Sequence, residues 1–214
     1  MNHGRWAAGA FALVLGAASA APALATNLNF RVESGGATFI TVAPGAPVNW
    51  SAVGTLSDNL NEGLALFSVD LQWSGGNLPP AAAPTTNPMM NFARPAGVNN
   101  PAGYGGTVVA GKLVQVGGAQ NTINNTFAPY PIGTVITGVA LPGSPAVLAT
   151  GQLTAPTQPG FYSLSASNLV ANVIRQGETG TPFWHVDRAG AGSMTFLTVQ
   201  VTSSAQGARD GGKR

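Results

Sequence analysis

GLALFSVDLQW, residues 63–73, alternates apolar and polar side chains along most of its length. Side chains on a strand point to opposite faces in turn, so Ala65, Phe67, Val69, Leu71 and Trp73 fall on one face. Leu64, Leu66, Ser68, Asp70 and Gln72 fall on the other. The first set can be buried only if a second layer covers it, so the segment predicts a half-buried β-strand in a layered fold.

The neighbouring sequence repeats the pattern. In 46–56, Val48, Trp50, Ala52 and Leu56 share a face opposite Asn49, Ser51 and Thr55, which places Trp50 and Trp73 inside. Further strands are expected at 27–33, 37–42, 106–116, 132–140, 146–154, 160–166, 169–175, 183–187 and 193–202. With 29 Gly and 16 Pro between short β-branched runs, no window keeps helical spacing. The expected fold is all-β, a two-sheet sandwich with long Pro/Gly/Asn-rich loops. The longest is 74–105, and a second irregular stretch covers 117–131.

Residues 1–25 have the parts of an export signal. A basic start ends at Arg5, an apolar run extends from Trp6 to about Ala20, and Ala23-Leu24-Ala25 forms a small-x-small cleavage site. The apolar run is shorter than the roughly 20 residues a membrane span needs. Cleavage near Ala25 leaves one domain over 26–202 and a solvated tail over 203–214, and the product is expected to be secreted, extracellular or periplasmic.

Charge and composition narrow the function. The pI is near 9.4. From Thr26 to Ala205, however, Arg31, Arg94, Lys112, Arg175 and Arg188 are balanced by Glu33, Asp58, Glu62, Asp70, Glu178 and Asp187. The basic excess lies in the leader and tail, so no phosphate-tracking surface exists and nucleic acid is excluded as a partner. The chain has 0 Cys, which rules out disulfides, thiolate zinc sites and a cysteine nucleophile. Charged residues make up 7% of the chain, so the exterior is dressed in Ser, Thr, Asn, Gln and Gly and suits neutral partners, a glycan or a protein surface.

Asp58-Asn59-Leu60-Asn61-Glu62-Gly63 has two readings. As a helix-loop-helix calcium loop it fails, because the third position is Leu60 and the twelfth is Val69. An irregular oxygen set of Asp58, Asn61 and Glu62 would take calcium, the one cofactor considered. The alternative is a connection in which Asp and Asn bond their own backbone and Gly63 relaxes the turn.

Catalytic patterns are sparse. His185 and Asp187 would share a strand face, but no G-x-S-x-G elbow exists. A glycosidase pair could be drawn only from Asp70 with Asp58 or Glu62. Aromatic rings outside strand alternation, Tyr104, Tyr130, Phe183 and Trp184, are the candidate ligand-binding platform, with capping of the sandwich ends as the other reading.

Three blocks carry a family resemblance. ATFITVAPGAPVNWSAVGTLSDNLNEGLALFSVDLQW (37–73) resembles the opening of a cohesin domain and of its carbohydrate-binding-module relatives, with Pro44-Gly45 at the first turn. VLATGQLTAPTQPGFYSLSASNLVANVI (147–174) and SMTFLTVQV (193–201) are similar to the later strands of that family. The 74–105 insertion departs from it. The resemblance implies a jelly-roll-type sandwich of about nine strands with a binding role. The expected function is thus an exported, non-enzymatic binding or adhesion module contacting a protein or polysaccharide at the cell surface or in the matrix. A ligand-free structural protein and a secreted hydrolase are the alternatives.

Overall fold

The computed structural model describes residues 26–82, 105–120, 136–177 and 185–203. Its ten elements are all strands: β1 Asn27–Glu33, β2 Phe39–Val42, β3 Pro47–Leu56, β4 Asn61–Trp73, β5 Gly105–Val109, β6 Lys112–Ala119, β7 Ala146–Thr154, β8 Gly160–Arg175, β9 Val186–Thr195 and β10 Leu197–Val201. Eight of them form one continuous hydrogen-bonded path, β5-β6-β4-β8-β9-β1-β3-β7, which folds back on itself as two layers, and β10 and β2 branch from it. The fold happens at β9. Its first half, Val186 to Ala189, pairs antiparallel with β8, and the half from Gly190 to Thr195 pairs parallel with β1. The first sheet continues on the other part of β8, where β10 pairs with residues 160–164 and β2 pairs in parallel with β10.

The alternation read from β4 holds from Phe67 onward: Phe67, Val69, Leu71 and Trp73 are at most 4% exposed, while Gln72 faces solvent. At its start the phase reverses. A bulge between Leu64 and Leu66 turns Leu64 into the contiguous core, and Ala65, although buried, lies outside that cluster. An extra residue in one strand shifts the side-chain phase by one. Trp50 and Trp73 are both buried. Trp50 is accommodated because its β7 neighbour is Gly151, where any Cβ would collide with the indole ring.

Expected strand boundaries change wherever a tight turn or bulge interrupts an apolar run. The 106–116 run is a hairpin, β5 and β6, turning at Ala110 and Gly111, which both have positive φ, 48° and 81°. The 160–166 and 169–175 runs are one strand, β8, with a bulge between them. The last two runs regroup as β9 and β10, while 136–140 forms turns and 132–135 lies outside the described residues.

The described part of the 74–105 insertion closes the sandwich. The Ala81 amide donates to the Gly105 carbonyl of β5, and Ala82 exchanges two backbone hydrogen bonds with Thr150 of β7. Leu78, fully buried, enters the core from this bridge. Among the described residues no helix is long and apolar enough to cross a membrane.

Candidate functional site

The loop 57–62 is a clasp on the start of the chain's first strand. Asp58 Oδ1 accepts from the Thr26 hydroxyl at 2.8 Å and the Leu60 amide at 3.1 Å, and Oδ2 accepts from the Ser57 hydroxyl at 2.8 Å. Asn61 Nδ2 donates to the same Thr26 hydroxyl, and Ser57 exchanges hydrogen bonds with Asn27. Burial raises the Asp58 carboxyl, but the hydrogen bonds from Ser57, Thr26 and Leu60 outweigh it and hold the group below its ordinary value. Glu62 Oε1 accepts instead from the Gly177 amide at 3.1 Å. Thus Asp58 and Asn61 meet at Thr26, while Glu62 ties the strand start to the turn after β8. Among the described residues no cluster of three or more His, Cys, Asp or Glu could hold a metal.

Asp70 sits differently. It lies mid-strand on the outer face of β4, between β6 and β8, and each flanking strand bulges beside it. On β6 the bulge carries Gln115 at φ 58°, and on β8 it carries Asn168 at φ 53°. Such left-handed backbone costs a residue with a side chain roughly 1–2 kcal/mol. Asp70 holds both: Oδ1 accepts from the Gln115 amide at 2.9 Å and Oδ2 from Asn168 Nδ2 at 2.7 Å. Around it the outer face of β5-β6-β4-β8 presents Thr107, Val109, Lys112, Val114, Ser68, Gln72, Ser167 and Val170. Val109 is 50% and Val170 45% exposed. Sequence reading put Asp70 on this face but missed the bulges, because GKLVQVGGA and SLSASNLVANV show no glycine at the left-handed positions. The signal available was Asn168, a residue that tolerates that conformation, between two apolar runs.

Tyr104, Tyr130, Phe183 and Trp184 lie outside the described residues. A different set of rings is exposed: Phe39 at 52%, Phe161 at 69% and Phe196 at 43%. Phe39 and Phe161 lie 6.5 Å apart, tilted by 40°, across β10 on the outer face. Each occupies the polar phase of its strand, opposite buried or half-buried Ile40, Val42 and Leu164, and that mismatch was readable in the sequence.

Asp187, the candidate partner of His185, is bound by Arg175. Asp187 accepts from both Arg175 Nε, at 3.1 Å, and Nη2, at 2.8 Å, which lowers its carboxyl, with the charges of Arg175 and His185 adding to the effect. Glu62 and Asp70 stand eight residues apart on one extended strand. That is roughly 25 Å, against the roughly 5–10 Å that glycoside hydrolysis needs. Beside Trp73, an open cleft of about 480 Å³ is lined by Asn77, Gln152, Thr154 and Thr157 with prolines and small apolar groups, and none of its lining residues is titratable near neutral pH.

No family model matches the sequence, and no curated protein does. Solved structures do. The chain is similar to the seventh ScaB type I cohesin from Pseudobacteroides cellulosolvens, at 12% identity over 84% of this chain and 94% of that one, with a TM-score of 0.51. It is also similar to a type I cohesin–dockerin complex from Clostridium thermocellum, at 9% identity over 82% of this chain and 99% of that one, with a TM-score of 0.45. The sixth cohesin of scaffoldin B from Acetivibrio cellulolyticus, solved with a Cel5 dockerin, gives 15% identity over 82% and 99%, with a TM-score of 0.44. The fold is therefore a cohesin-like β-sandwich, with ten strands among the described residues where about nine were expected.

Proposed function

We propose that this chain is an exported, non-enzymatic binding module that docks a protein partner on the outer face of β5-β6-β4-β8, at the cell surface or in the extracellular matrix. The observation that carries the reading is Asp70, a single carboxylate fixed between two left-handed bulges in the middle of a sheet face that is otherwise largely neutral, with Lys112 of β6 as its one cation among the described residues. Backbone in sparsely populated conformations persists where the fold over-determines it, and bulges are enriched beside binding sites. Each Asp70 oxygen keeps a further lone pair for a partner's donor. Its Ser, Thr and Val neighbours have little rotamer freedom to lose on docking.

Export is supported by the leader pattern of residues 1–25. The wide separation of the carboxylates supports a role without catalysis. The cohesin structures solved with dockerins say what those proteins bind. For this chain they suggest a protein rather than a polysaccharide as the first partner to test.

The immobilised exported chain should capture a co-exported protein. Asp70→Ala and Val170→Arg should each weaken that capture by about tenfold or more, while the Val170→Arg melt stays within a few degrees of the parent. Capture indifferent to both variants rejects this face. Retention of a polysaccharide that disappears on Trp184→Ala would move the function to the aromatic platform instead.

A further inference from the structure

The first sheet ends at β2, which pairs only with β10 among the described residues. The register fixes which backbone groups remain free. Thr198 N–H donates to the Thr38 carbonyl at 2.8 Å and Thr202 N–H to the Val42 carbonyl at 3.1 Å, with Thr198 beside Phe39 and Gln200 beside Thr41. In a parallel ladder this turns the amides and carbonyls of alternate residues, including Ile40, toward β10, and those of Phe39 and Thr41 outward. The other sheet ends are treated differently: Ala82 pairs with Thr150 on β7, and Ala81 bonds the Gly105 carbonyl of β5. Exposed edges are ordinarily blunted by charge or proline. Phe39-Ile40-Thr41-Val42 has neither, nor do β10 or residues 160–164 of β8 beside it.

We propose that two copies of this chain associate edge to edge through β2, antiparallel about a two-fold axis at Ile40. The free groups are self-complementary in that register. Phe39 faces Thr41 of the second copy and Thr41 faces its Phe39, and both are hydrogen-bonded pairs, so four N–H···O bonds form. The two-fold axis, normal to the sheet, keeps both outer faces on one side. Phe39 of each copy is then the diagonal neighbour of the other, within aromatic reach. The Phe39–Phe161 pair, 6.5 Å apart, thereby becomes a row of four rings across the joined sheet. A second copy suits this edge because it is itself an uncharged strand with a matching register. The 40° tilt of the rings suits mutual packing rather than the flat face of a sugar.

The interface is short, so association is weak and is sought at high concentration. In sedimentation of the full exported chain up to about 1 mM, the mass should rise toward twice that of one chain. Thr41→Pro removes an outward amide that β10 does not use, and should hold the chain monomeric while its melt stays within a few degrees of the parent. The chain contains 0 Cys, so a disulfide in Ile40→Cys reports the axis directly. The two introduced thiols sit on a non-hydrogen-bonded pair whose Cα separation of about 4.5 Å permits the bond. Oxidation should cross-link it at least tenfold faster than exposed Thr157→Cys. A parent chain that stays monomeric overturns the proposal, as does cross-linking no faster than the control. So does association that Thr41→Pro leaves unchanged.

Discussion

Two aspartates on or next to β4 show how a single carboxylate does different work depending on what surrounds it. Asp58 gathers Thr26, Ser57 and the Leu60 amide, so it joins the loop before β4 to the start of β1. Asp70 gathers one donor from each neighbouring strand, so it sets the shape of a surface. The first has a consequence for acid stability. Because the folded Asp58 carboxyl lies below its ordinary value, its contribution is complete above the unfolded value and is lost as pH falls through the folded one. Thermal melts from about pH 6 down to about pH 2 should therefore show the parent chain more stable than Asp58→Asn at the upper end, with the difference closing toward the lower. A gap that stays constant with pH would mean that the clasp does not depend on the ionised carboxylate. The sequence showed that this loop was rich in oxygen. It did not show that Thr26, more than thirty residues away, would be the group on which Asp58 and Asn61 converge.

At the level of elements, runs of apolar residues locate strands well and divide them poorly. β1 and β7 match their expected bounds because clear turn residues flank them. β5 and β6 were read as one strand because Ala110-Gly111 lacks the Asn or Asp that marks a type I′ hairpin. Ala110 adopts φ 48° there with its side chain exposed, a conformation that Asn tolerates better. Ala110→Asn should raise unfolding stability by about 0.5–1 kcal/mol, read from the midpoint of denaturant unfolding at unchanged slope. β8 was divided for the opposite reason, since Ser167-Asn168 looks like a turn in sequence. The ladders to β4 on both sides of the bulge carry the strand through it.

At the scale of the whole molecule, closure depends on segments that no periodicity marks. β9 leaves one sheet for the other midway, and the bridge through Ala81 and Ala82 spans the two free edges opposite. Leu78 anchors that bridge in the core. Leu78→Ala should destabilise the chain by about 2–5 kcal/mol, because the surrounding strands cannot collapse into the space left behind. Equilibrium unfolding measures this directly, and a loss under about 0.5 kcal/mol would show the bridge to be dispensable. By itself the sequence determined the all-β class, the buried tryptophans, the neutral exterior and the absence of thiol chemistry. These follow from composition and from a two-residue period, both local properties of the chain. Only the tertiary structure decided that β9 crosses between sheets, that bulges on two strands meet at Asp70 and that β2 ends its sheet among the described residues. Those features depend on which distant strands pair and in what register, and hydrogen bonds between segments a hundred residues apart leave no periodic trace in either one.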